Sequence, residues 1–509
     1  MSALSSPYSP AANGRSVELK SVPVLLPDEF QSLMLESVAS HLRVSSYFGM
    51  SVEGGTDLWA VLSDDLRTGL RFLRTHIDSN ALPSLTPRCP QVHLFEREIA
   101  EEFGIRFEGH PWFKPVRFHA SWIPSRDAWN RPASDRPVVG VTDFYRVEGE
   151  EIHEVAVGPI HAGVIEPGHF RFQCHGEEVF HLEISLGYQH RGVERALLGG
   201  PNKRTIHYME TLAGDTTIAH ATAYSRIMEA LGRIQDPARA QVIRGIALEL
   251  ERLANHVGDL GALAGDVGYL PTASFCGRLR GDFLNMTAML CGSRFGRGLI
   301  RPGGVAFELP PDRAGQLLKK LDAADKDLRV AVPLLWDSSS VMARFEDIGR
   351  LSRETAVQLG VVGPAARACG LDRDIRHDHP AGIYRFSHIP VSTWSTGDVF
   401  ARAYVRWMEV QASITFIREA LQSLPRGSIK NDVKPQEPNR IVATLVEGWR
   451  GEVCHVALTD AEGRFARYKV VDPSFHNWAA LAHALRNQQI FDFPLCNKSF
   501  GLSYCGHDL

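Results

Sequence analysis

The stretch His93–Pro111, with the sequence HLFEREIAEEFGIRFEGHP, decides the first folded unit of the chain. Its first eleven residues place Leu94, Ile99 and Phe103 on one side of a helix, with charged residues on the others. Short apolar segments before this helix, such as LWAVL, are typical of strands. We therefore predict a small α+β domain over residues 16–118.

Length and composition bound the remaining possibilities. A chain of 509 residues is too long for one compact core, so two or more domains are expected. Hydrophobic residues make up 44% and charged residues 22%, which is ordinary for a globular protein. The 55 basic and 59 acidic side chains give a net charge of −4, which offers no electrostatic footprint for nucleic acid.

The sequence has no apolar run of the roughly 20 residues that a membrane crossing needs. Its first residues, MSALSSPYSPAANGRS, have no apolar signal core. We expect a cytoplasmic location, with any attachment to the membrane made through partner proteins.

Beyond the first unit, composition divides the chain further. Residues 1–15 are rich in Ser, Pro, Ala and Asn and are predicted to be a disordered tail. Residues 119–150 are dense in Pro, Trp and Arg without a clear period, which indicates an extended linker. Residues 151–509 are predicted to be mainly helical with small β sheets, and the fold class is therefore α+β.

Helical spacing of apolar residues predicts long helices over Asp28–Val44, Thr205–Leu231, Asp236–Leu263, Arg313–Arg329 and Thr396–Ser423. Alternating segments predict hairpins at HFRFQCHGEEVFHLEISLGY and RIVATLVEGWRGEVCHVALTD.

The decisive stretch carries a family resemblance. Its segments EREIAEEFGI and FEGHP resemble the signature of the 30-kDa subunit of complex I, in which an ERE helix runs into FGI and GHP. A solvated helix face is the usual alternative explanation for such a charge run. The combined length of the pattern favours the family.

The second unit resembles the large subunit of NiFe hydrogenases, in the branch that includes formate hydrogenlyase and the 49-kDa subunit of complex I. The matching segments, in order, are Gly158–His161, Glu166–Phe170, Leu186–Glu194, Glu249–His256 with Asp259 and Asp266, Gly363–Gly370 with Asp372 and Arg376, Gly397–Asp398, Ala401–Arg402 and Asp472–Phe475. The resemblance implies a domain like the hydrogenase large subunit. A fused chain of both subunits is typical of the formate hydrogenlyase branch.

The nickel ligands of that family are absent here. The family holds its metals with thiolates from two CxxC pairs, and soft thiolates suit such a centre. Ala213, Thr216, Ser474 and Asn477 occupy the four positions. The chain has eight cysteines and no CxxC pair, so we predict no nickel and no hydrogen activation.

In complex I the vacated cavity binds the quinone headgroup, and the resemblance carries this expectation over. His161 lies at the position of the quinone-bonding His, and Asp266 at that of its carboxylate partner, which would raise the pKa of the His and let it deliver a proton. The Tyr position falls at Leu212, and Tyr208 lies one helical turn earlier. Structural roles for His161 and Asp266 are the alternatives.

Partners follow from the resemblance alone. It implies a separate iron–sulfur subunit with a 4Fe–4S cluster, and antiporter-like membrane subunits. The expected function is that of an oxidoreductase subunit, related to NADH dehydrogenase, that passes electrons to a quinone or a similar acceptor. The alternative is a non-catalytic scaffold or coupling subunit. No Gly-rich dinucleotide loop is evident, so NAD would bind elsewhere in the complex.

The charged residues of the predicted central helix have two interpretations. Glu249, Glu251, Arg252 and His256 recur at helical spacing on overlapping faces. A buried charged face is costly unless it is paired, which favours a structural ion-pair network. A proton path, or a contact to the iron–sulfur partner, is the other interpretation.

Overall fold

The computed structural model describes residues 10–124, 126–132 and 137–509. Its first part builds a four-stranded sheet in the order β2-β5-β4-β3, with β2 parallel to β5 and the other pairs antiparallel. The elements are β1 Val17–Glu18, β2 Val24–Leu25, α1 Pro27–Ala39, β3 Arg43–Val52, β4 Gly55–Asp64, β5 Gly69–Ile77, β6 Ala81–Pro83, α2 His93–Phe103 and β7 Arg106–Glu108, with 3-10 turns at Leu19–Ser21 and Pro90–Val92.

The second part is dominated by helices around the long α6, against which α7 and α14 pack. The helices are α3 Val193–Ala196, α4 Thr205–Met209, α5 Thr217–Leu231, α6 Ala238–Asp266, α7 Leu270–Cys291, α8 Pro311–Ala331, α9 Pro333–Trp336, α10 Ser339–Phe345, α11 Arg353–Leu359, α12 Gly363–Arg367, α13 Ile375–Asp378, α14 Val399–Gln422, α15 Pro473–Ala484, α16 Phe493–Phe500 and α17 Tyr504–Asp508, with 3-10 turns at Gly382–Arg385 and Ile490–Asp492. None of the helices in the described ranges has the length and apolar character needed to cross a membrane.

Small sheets accompany these helices. Their strands are β8 Ile152–Val157, β9 His169–His175, β10 Glu178–Ser185, β11 Ile300–Arg301, β12 Gly304–Val305, β13 Arg440–Gly448, β14 Gly451–Thr459 and β15 Phe465–Val471. One sheet has the order β10-β9-β8 and another the order β1-β13-β14-β15. The predicted α+β class is confirmed, and both predicted hairpins form, as β9–β10 and β13–β14.

Two predicted helices are wrong in part. The helix predicted over Thr205–Leu231 is interrupted between α4 and α5, where the Thr217 hydroxyl donates to the Glu210 carbonyl at 3.0 Å. Thr and Asp side chains compete for backbone groups in this way, and Gly214 adds backbone freedom. The helix predicted from Asp28 ends at Ala39, and Arg43 already belongs to β3.

The charged stretch on α2 is buried, which differs from a solvated face. Glu98 accepts from Lys469 at 2.6 Å and also bonds the Arg117 guanidinium, while Glu102 pairs with Arg467 at 2.9 Å. These ion pairs join α2 to β15 across the two parts of the chain. Their burial is tolerable because each carboxylate is matched by a cation.

The stretches predicted as tail and linker lie against the folded parts where the structure describes them. Ala11 bridges to Leu70, and the buried Asn13 donates to the Leu445 carbonyl at 3.0 Å, whereas Pro10, Ala12 and Arg15 are exposed. Residues 1–9, 125 and 133–136 lie outside the described residues. In the described part of 119–150 there is no helix or strand, and Trp129 stacks on Phe113 at 5.1 Å.

Candidate functional site

A cavity of about 660 Å³ lies where the loop after β8, α6, the β13–β14 turn and the C-terminal helices meet. Eight of the residues that line it have charged or amide side chains. Its walls comprise residues 163–167, Asp215, Asn255, Gly258, Asp259, Arg280, Trp449, Arg450, Asn497, Lys498, Gly501, Leu502 and Tyr504. Polar groups that converge on a concave site are the usual mark of a binding or reaction site.

The centre of this wall is the two-residue turn of the β13–β14 hairpin. Because Gly448 pairs with Gly451, only Trp449 and Arg450 form the turn. Arg450 binds the Asp215 carboxylate with both terminal nitrogens, at 2.5 and 2.7 Å, and its Nε donates to the Gly501 carbonyl at 2.5 Å. Burial raises the pKa of Asp215, and Arg450 more than offsets this, so the pKa lies below its ordinary value.

Close backbone packing fixes the turn in place. Gly451 lies against Gly363, at the start of α12, and a side-chain carbon at Gly363 would lie 2.1 Å from the Arg450 carbonyl oxygen. Gly363 also has a φ of +69°, which favours glycine. The glycines therefore let α12 approach the turn and hold the guanidinium at the cavity.

The residues at the four expected thiolate positions are buried and bonded into the protein. Ala213 has no ligating atom, and the Thr216 hydroxyl accepts from Arg450 at 3.1 Å. The Ser474 hydroxyl accepts from the Ser503 amide at 2.8 Å, and the Asn477 side chain bonds both backbone groups of Val362 at 3.0 Å. This set does not fit a nickel–iron centre, because it supplies no thiolate.

The described residues offer one other grouping of possible metal ligands, Glu98, Glu102 and Glu194. Lys469 already binds Glu98 at 2.6 Å and Glu194 at 3.0 Å, and Arg467 binds Glu102 and Glu194. These carboxylates therefore belong to the ion network between α2 and β15. All eight cysteines are free thiols.

A buried chain of polar side chains starts beside Ser474. The Asp472 carboxylate bonds His220 at 3.1 Å, His220 bonds His455 at 2.9 Å, and His455 bonds the Tyr468 hydroxyl at 2.9 Å. Burial raises the pKa of Asp472, and His220 outweighs this and lowers it overall. The chain links α5 to the sheet of β13, β14 and β15 behind the cavity.

Other charges surround the cavity. Asp259 pairs with Arg406 at 3.0 Å, and burial nevertheless raises the pKa of Asp259. Lys498 binds Asp266. Arg280, on α7, packs across Gly258 and has no ion-pair partner among the described residues. The cavity thus holds a guanidinium without an ion-pair partner among the described residues and a carboxyl group whose pKa is raised by burial.

The predicted site residues are only partly brought together. His161 bonds the Gly168 carbonyl at 2.7 Å and Asp266 bonds Lys498, so these two do not form the expected pair. Tyr208 lies on α4, and Leu212 is buried in a cluster with Met209. None of these four residues lines the cavity, although the loop that follows His161 does.

Several lining residues were not predicted, in particular Arg280, Arg450 and Lys498. Arg450 stands in the quoted hairpin sequence as Gly-Trp-Arg-Gly, a pattern that marks a short turn. A turn that presents Trp and Arg was the available signal. Arg280 and Lys498 carried no signal of their own.

Three of the four charged residues of α6 join an ion-pair network, as the structural interpretation proposed, whereas Glu251 accepts from the backbone amides of Ile218 and Ala219. Arg252 bonds Glu249 at 3.0 Å, and Glu409 of α14 accepts from His256 at 2.8 Å. Arg367 bonds Glu409 at 2.9 Å. The network lies beside the cavity, with the His256 ring edge-on to Trp449 at 6.1 Å.

The fold and the cavity define a class of protein. A small α+β unit is followed on the same chain by a large, mainly helical part, which forms a charged cavity between its central helix and its C-terminal segment. Comparison with known families agrees. The model of the respiratory-chain NADH dehydrogenase 30-kDa subunit matches residues 39–134, and that of the 49-kDa subunit matches residues 266–440.

Three relatives illustrate the match. Formate hydrogenlyase subunit 5 of Escherichia coli is 29% identical over 90% of this chain and 80% of its own length. The carbon monoxide-induced hydrogenase of Rhodospirillum rubrum is 30% identical over 68% of this chain and 96% of its own. A subunit of the NADH-quinone oxidoreductase of Clostridium beijerinckii is 31% identical over 63% of this chain and 87% of its own.

The chain belongs to the family of the complex I 49-kDa subunit and its hydrogenase relatives, and it carries a region of the 30-kDa type on the same chain. The predicted family is thereby confirmed, as is the relation to oxidoreductase subunits.

Proposed function

We propose that this chain is the redox-arm subunit of a membrane-bound complex, in which electrons from an iron–sulfur cluster of a partner subunit reach a quinone or a similar acceptor without a nickel–iron centre. The acceptor would bind in the cavity around Arg450 and Arg280. The observation that carries the proposal is that Arg280 lines this cavity without an ion-pair partner among the described residues. Ala213, Thr216, Ser474 and Asn477, at the expected thiolate positions, are buried and supply no thiolate.

The chemistry of acceptor reduction fits these groups. Electrons delivered to a carbonyl-bearing acceptor build negative charge on its oxygens, and preformed cationic donors stabilise such charge. Arg280 has no ion-pair partner among the described residues, so its guanidinium is available to an oxygen in the cavity. Trp449 and Tyr504 also line the cavity, and only a small part of each side chain is exposed.

Protons must follow the electrons. Asp259 faces the cavity, and burial raises its pKa above the ordinary value of an Asp, so this carboxyl group holds a proton more tightly than an exposed Asp does. His161 is held by the Gly168 carbonyl in the present geometry. We assign it to the loop that borders the cavity, and the proton donor of the proposal is Asp259.

Partners are proposed on the same basis. The relatives are named as a subunit of formate hydrogenlyase, a carbon monoxide-induced hydrogenase and a subunit of an NADH-quinone oxidoreductase. We propose an adjacent subunit with a 4Fe–4S cluster as electron donor, and membrane subunits that hold this chain at the cytoplasmic face. NAD, if the complex uses it, is handled by another subunit.

The test uses the intact complex extracted in mild detergent. Its clusters are reduced with dithionite, a soluble short-chain quinone is added, and freeze-quenched electron paramagnetic resonance follows the reduced-cluster signal. We expect rapid loss of the signal, slowed about tenfold or more by Arg280→Leu, because a charge-assisted hydrogen bond in the reduction step is lost. Arg278→Leu is the matched control, since Arg278 lies on the same helix and pairs at the surface with Asp282 at 2.9 Å.

Two results would count against the proposal. If the cluster signal is lost at equal rates in the Arg280 and Arg278 variants, the acceptor does not bind in this cavity. A signal that persists in an intact complex with quinone present would favour the alternative.

The alternative is a non-catalytic scaffold or coupling subunit of the same kind of complex. One observation favours it: the expected quinone-bonding groups are not assembled, because His161 and Asp266 have separate partners and Leu212 replaces the Tyr. In that case the charged cavity has only a structural role.

A further inference from the structure

A second cavity, of about 480 Å³, lies between α2 with its following GHP turn and the β10–α15 region, away from the residues that line the site described above. Its walls are largely apolar and include Trp112, Leu186, Leu359 and Trp478. A cavity of this volume is large enough for a small organic molecule.

The polar groups in this cavity fall into two sets. One set is already satisfied: Glu183 accepts from Lys114 at 2.6 Å and from Trp112 at 3.2 Å, and His110 donates to the His93 carbonyl at 3.0 Å. Arg97 donates to two backbone carbonyls, those of Lys114 at 2.7 Å and Pro115 at 2.8 Å. These contacts are part of the architecture.

The other set is unmatched. The imidazoles of His93, His181 and His483 and the guanidinium of Arg486 reach the cavity and have no side-chain hydrogen-bond partner among the described residues. Burial lowers the pKa of His93 to about 3 and that of His483 to about 4, so both rings are neutral at pH 7 and each keeps one N–H donor.

Charge gives the sign of the ligand. The lining has three permanent cations, Arg97, Lys114 and Arg486, against one carboxylate, Glu183, which leaves a net charge of +2 at pH 7. A metal ion does not fit this arrangement, because among the described residues only the Glu98, Glu102 and Glu194 group brings three ligand atoms within 4.8 Å of one another.

We propose that this cavity binds an organic anion with an apolar body, a carboxylate or phosphate on a ring or a hydrocarbon chain. Arg486 and the N–H groups of His181 and His483 bind the anionic head. Trp112, Leu186 and Trp478 cover the apolar part. The charge-assisted bonds to Arg486 provide the selectivity for an anion.

The position of the cavity makes the ligand a link between the two parts of the chain. His93 and Trp112 belong to the first part of the chain, whereas His181 and His483 belong to β10 and α15 of the second. This proposal does not rest on acceptor reduction in the first cavity.

The test is a fluorescence titration of the purified full-length chain with 11-(dansylamino)undecanoic acid, with its methyl ester as the uncharged twin. We expect one acid bound per chain, and at least tenfold weaker binding of the ester. Arg486→Gln should raise the Kd of the acid about tenfold, whereas Arg353→Gln, an exposed Arg outside the cavity, should leave it unchanged. Equal Kd values for acid and ester, or for the two Arg variants, would overturn the proposal.

A second pair of variants fills the cavity. Ala482→Trp and Ala479→Phe add bulk at two half-buried lining positions and should abolish binding of the acid. Circular dichroism checks that each variant is folded, and a folded variant that binds the acid as wild type does would also refute the site. Competition distinguishes the source of the ligand: displacement by oleate indicates a lipid-derived anion, displacement by 2-naphthoate a soluble aromatic one, and displacement by neither contradicts the proposal.

Discussion

Removal of the Arg367 guanidinium tests whether the charges on α6 and α14 form a structural network. Arg367 is fully buried and bonds Glu409 at 2.9 Å, Glu447 at 2.8 Å and the Arg373 carbonyl at 2.8 Å. Arg367→Met keeps an unbranched apolar side chain but deletes the cation. Glu409 retains His256 as a partner, whereas Glu447 is left with the Ile375 amide at 3.1 Å.

The expected cost is that of an unpaired buried charge, about 3–5 kcal/mol. Unfolding entropy is about 2.1 cal/mol/K per residue, or about 1.1 kcal/mol/K for 509 residues, so the melting temperature should fall by about 3–5 °C. Differential scanning calorimetry measures this fall directly. The double variant with Glu447→Gln should recover part of it, since that change removes the unmatched carboxylate.

Arg329→Met is the matched control, because the Arg329 side chain is 58% exposed and its partner Asp325 on α8 keeps Arg418 as a second partner at 3.1 Å. Exposed pairs contribute about 0–1 kcal/mol, so its melting temperature should change by about 1 °C or less. If Arg367→Met melts within about 1 °C of wild type, the network does not stabilise the fold as argued. The proton-path interpretation would then gain support.

Three further predictions follow from other parts of the chain. Burial raises the pKa of Glu98, but Lys469 and Arg117 bring it to about 2, so its ion pairs stabilise the fold fully above about pH 4.5 and cease to do so as the pH falls toward about 2. In melting curves at pH 3–5, Glu98→Gln should weaken the fall of the melting temperature with pH. An unchanged fall would contradict the role given to Glu98. Gly363→Ala should destabilise the chain by several kcal/mol, because the new side-chain carbon would lie 2.1 Å from the Arg450 carbonyl oxygen. Gly292→Ala is the control: Gly292 has a φ of +79° and open space around it, so this change should cost about 1–2 kcal/mol. Equal melting temperatures of the two variants would refute the close-packing argument. Elemental analysis of the purified complex should find no nickel bound to this chain, and one nickel per chain, absent when this chain is removed, would overturn the ligand argument.

Regular elements were predictable where a single signal dominated. The amphipathic spacing in α2 and α6, and the alternation in β13 and β14, each gave the correct element. The break between α4 and α5 was not predicted, because apolar spacing continues through it while Gly214 and the Thr217 side chain redirect the backbone. Periodicity reports burial, and it does not register local side-chain bonds to the backbone.

The spacing of apolar residues also could not predict that the charged residues on α2 are buried. Glu98 and Glu102 have the composition of a solvated face. Each has a cationic partner on β15, more than 350 residues away, and Glu98 also has Arg117. Long-range ion pairs of this kind leave no local pattern.

The candidate site was predictable in its outline. Segments that the family resemblance singled out, namely the loop after His161, the residues just before α5, and α6, contribute lining residues to the cavity. The pairing of His161 with Asp266 did not follow, since each has a nearer partner in the fold, the Gly168 carbonyl and Lys498. A motif gives the order of elements, whereas the partner of a side chain depends on distances of a few ångströms.

The charges at the cavity bear on the choice between a redox site and a scaffold. Four thiolates would bring four negative charges that a metal pair balances, and in this chain neutral residues replace them. The nearby carboxylates are still paired: Asp215 with Arg450, Asp259 with Arg406, and Asp472 with His220. Matched buried carboxylates are what any stable fold requires, so they do not separate the two functions.

Arg280 does distinguish a redox site from a scaffold, because it lines the cavity without an ion-pair partner among the described residues. A scaffold gains little from such a cation, whereas an acceptor that becomes negative on reduction gains a donor. Arg280→Leu should therefore slow electron transfer while the melting temperature of the chain stays within about 1 °C of wild type. If the variant melts several degrees lower and transfers electrons at the normal rate, Arg280 stabilises the fold and takes no part in the reaction.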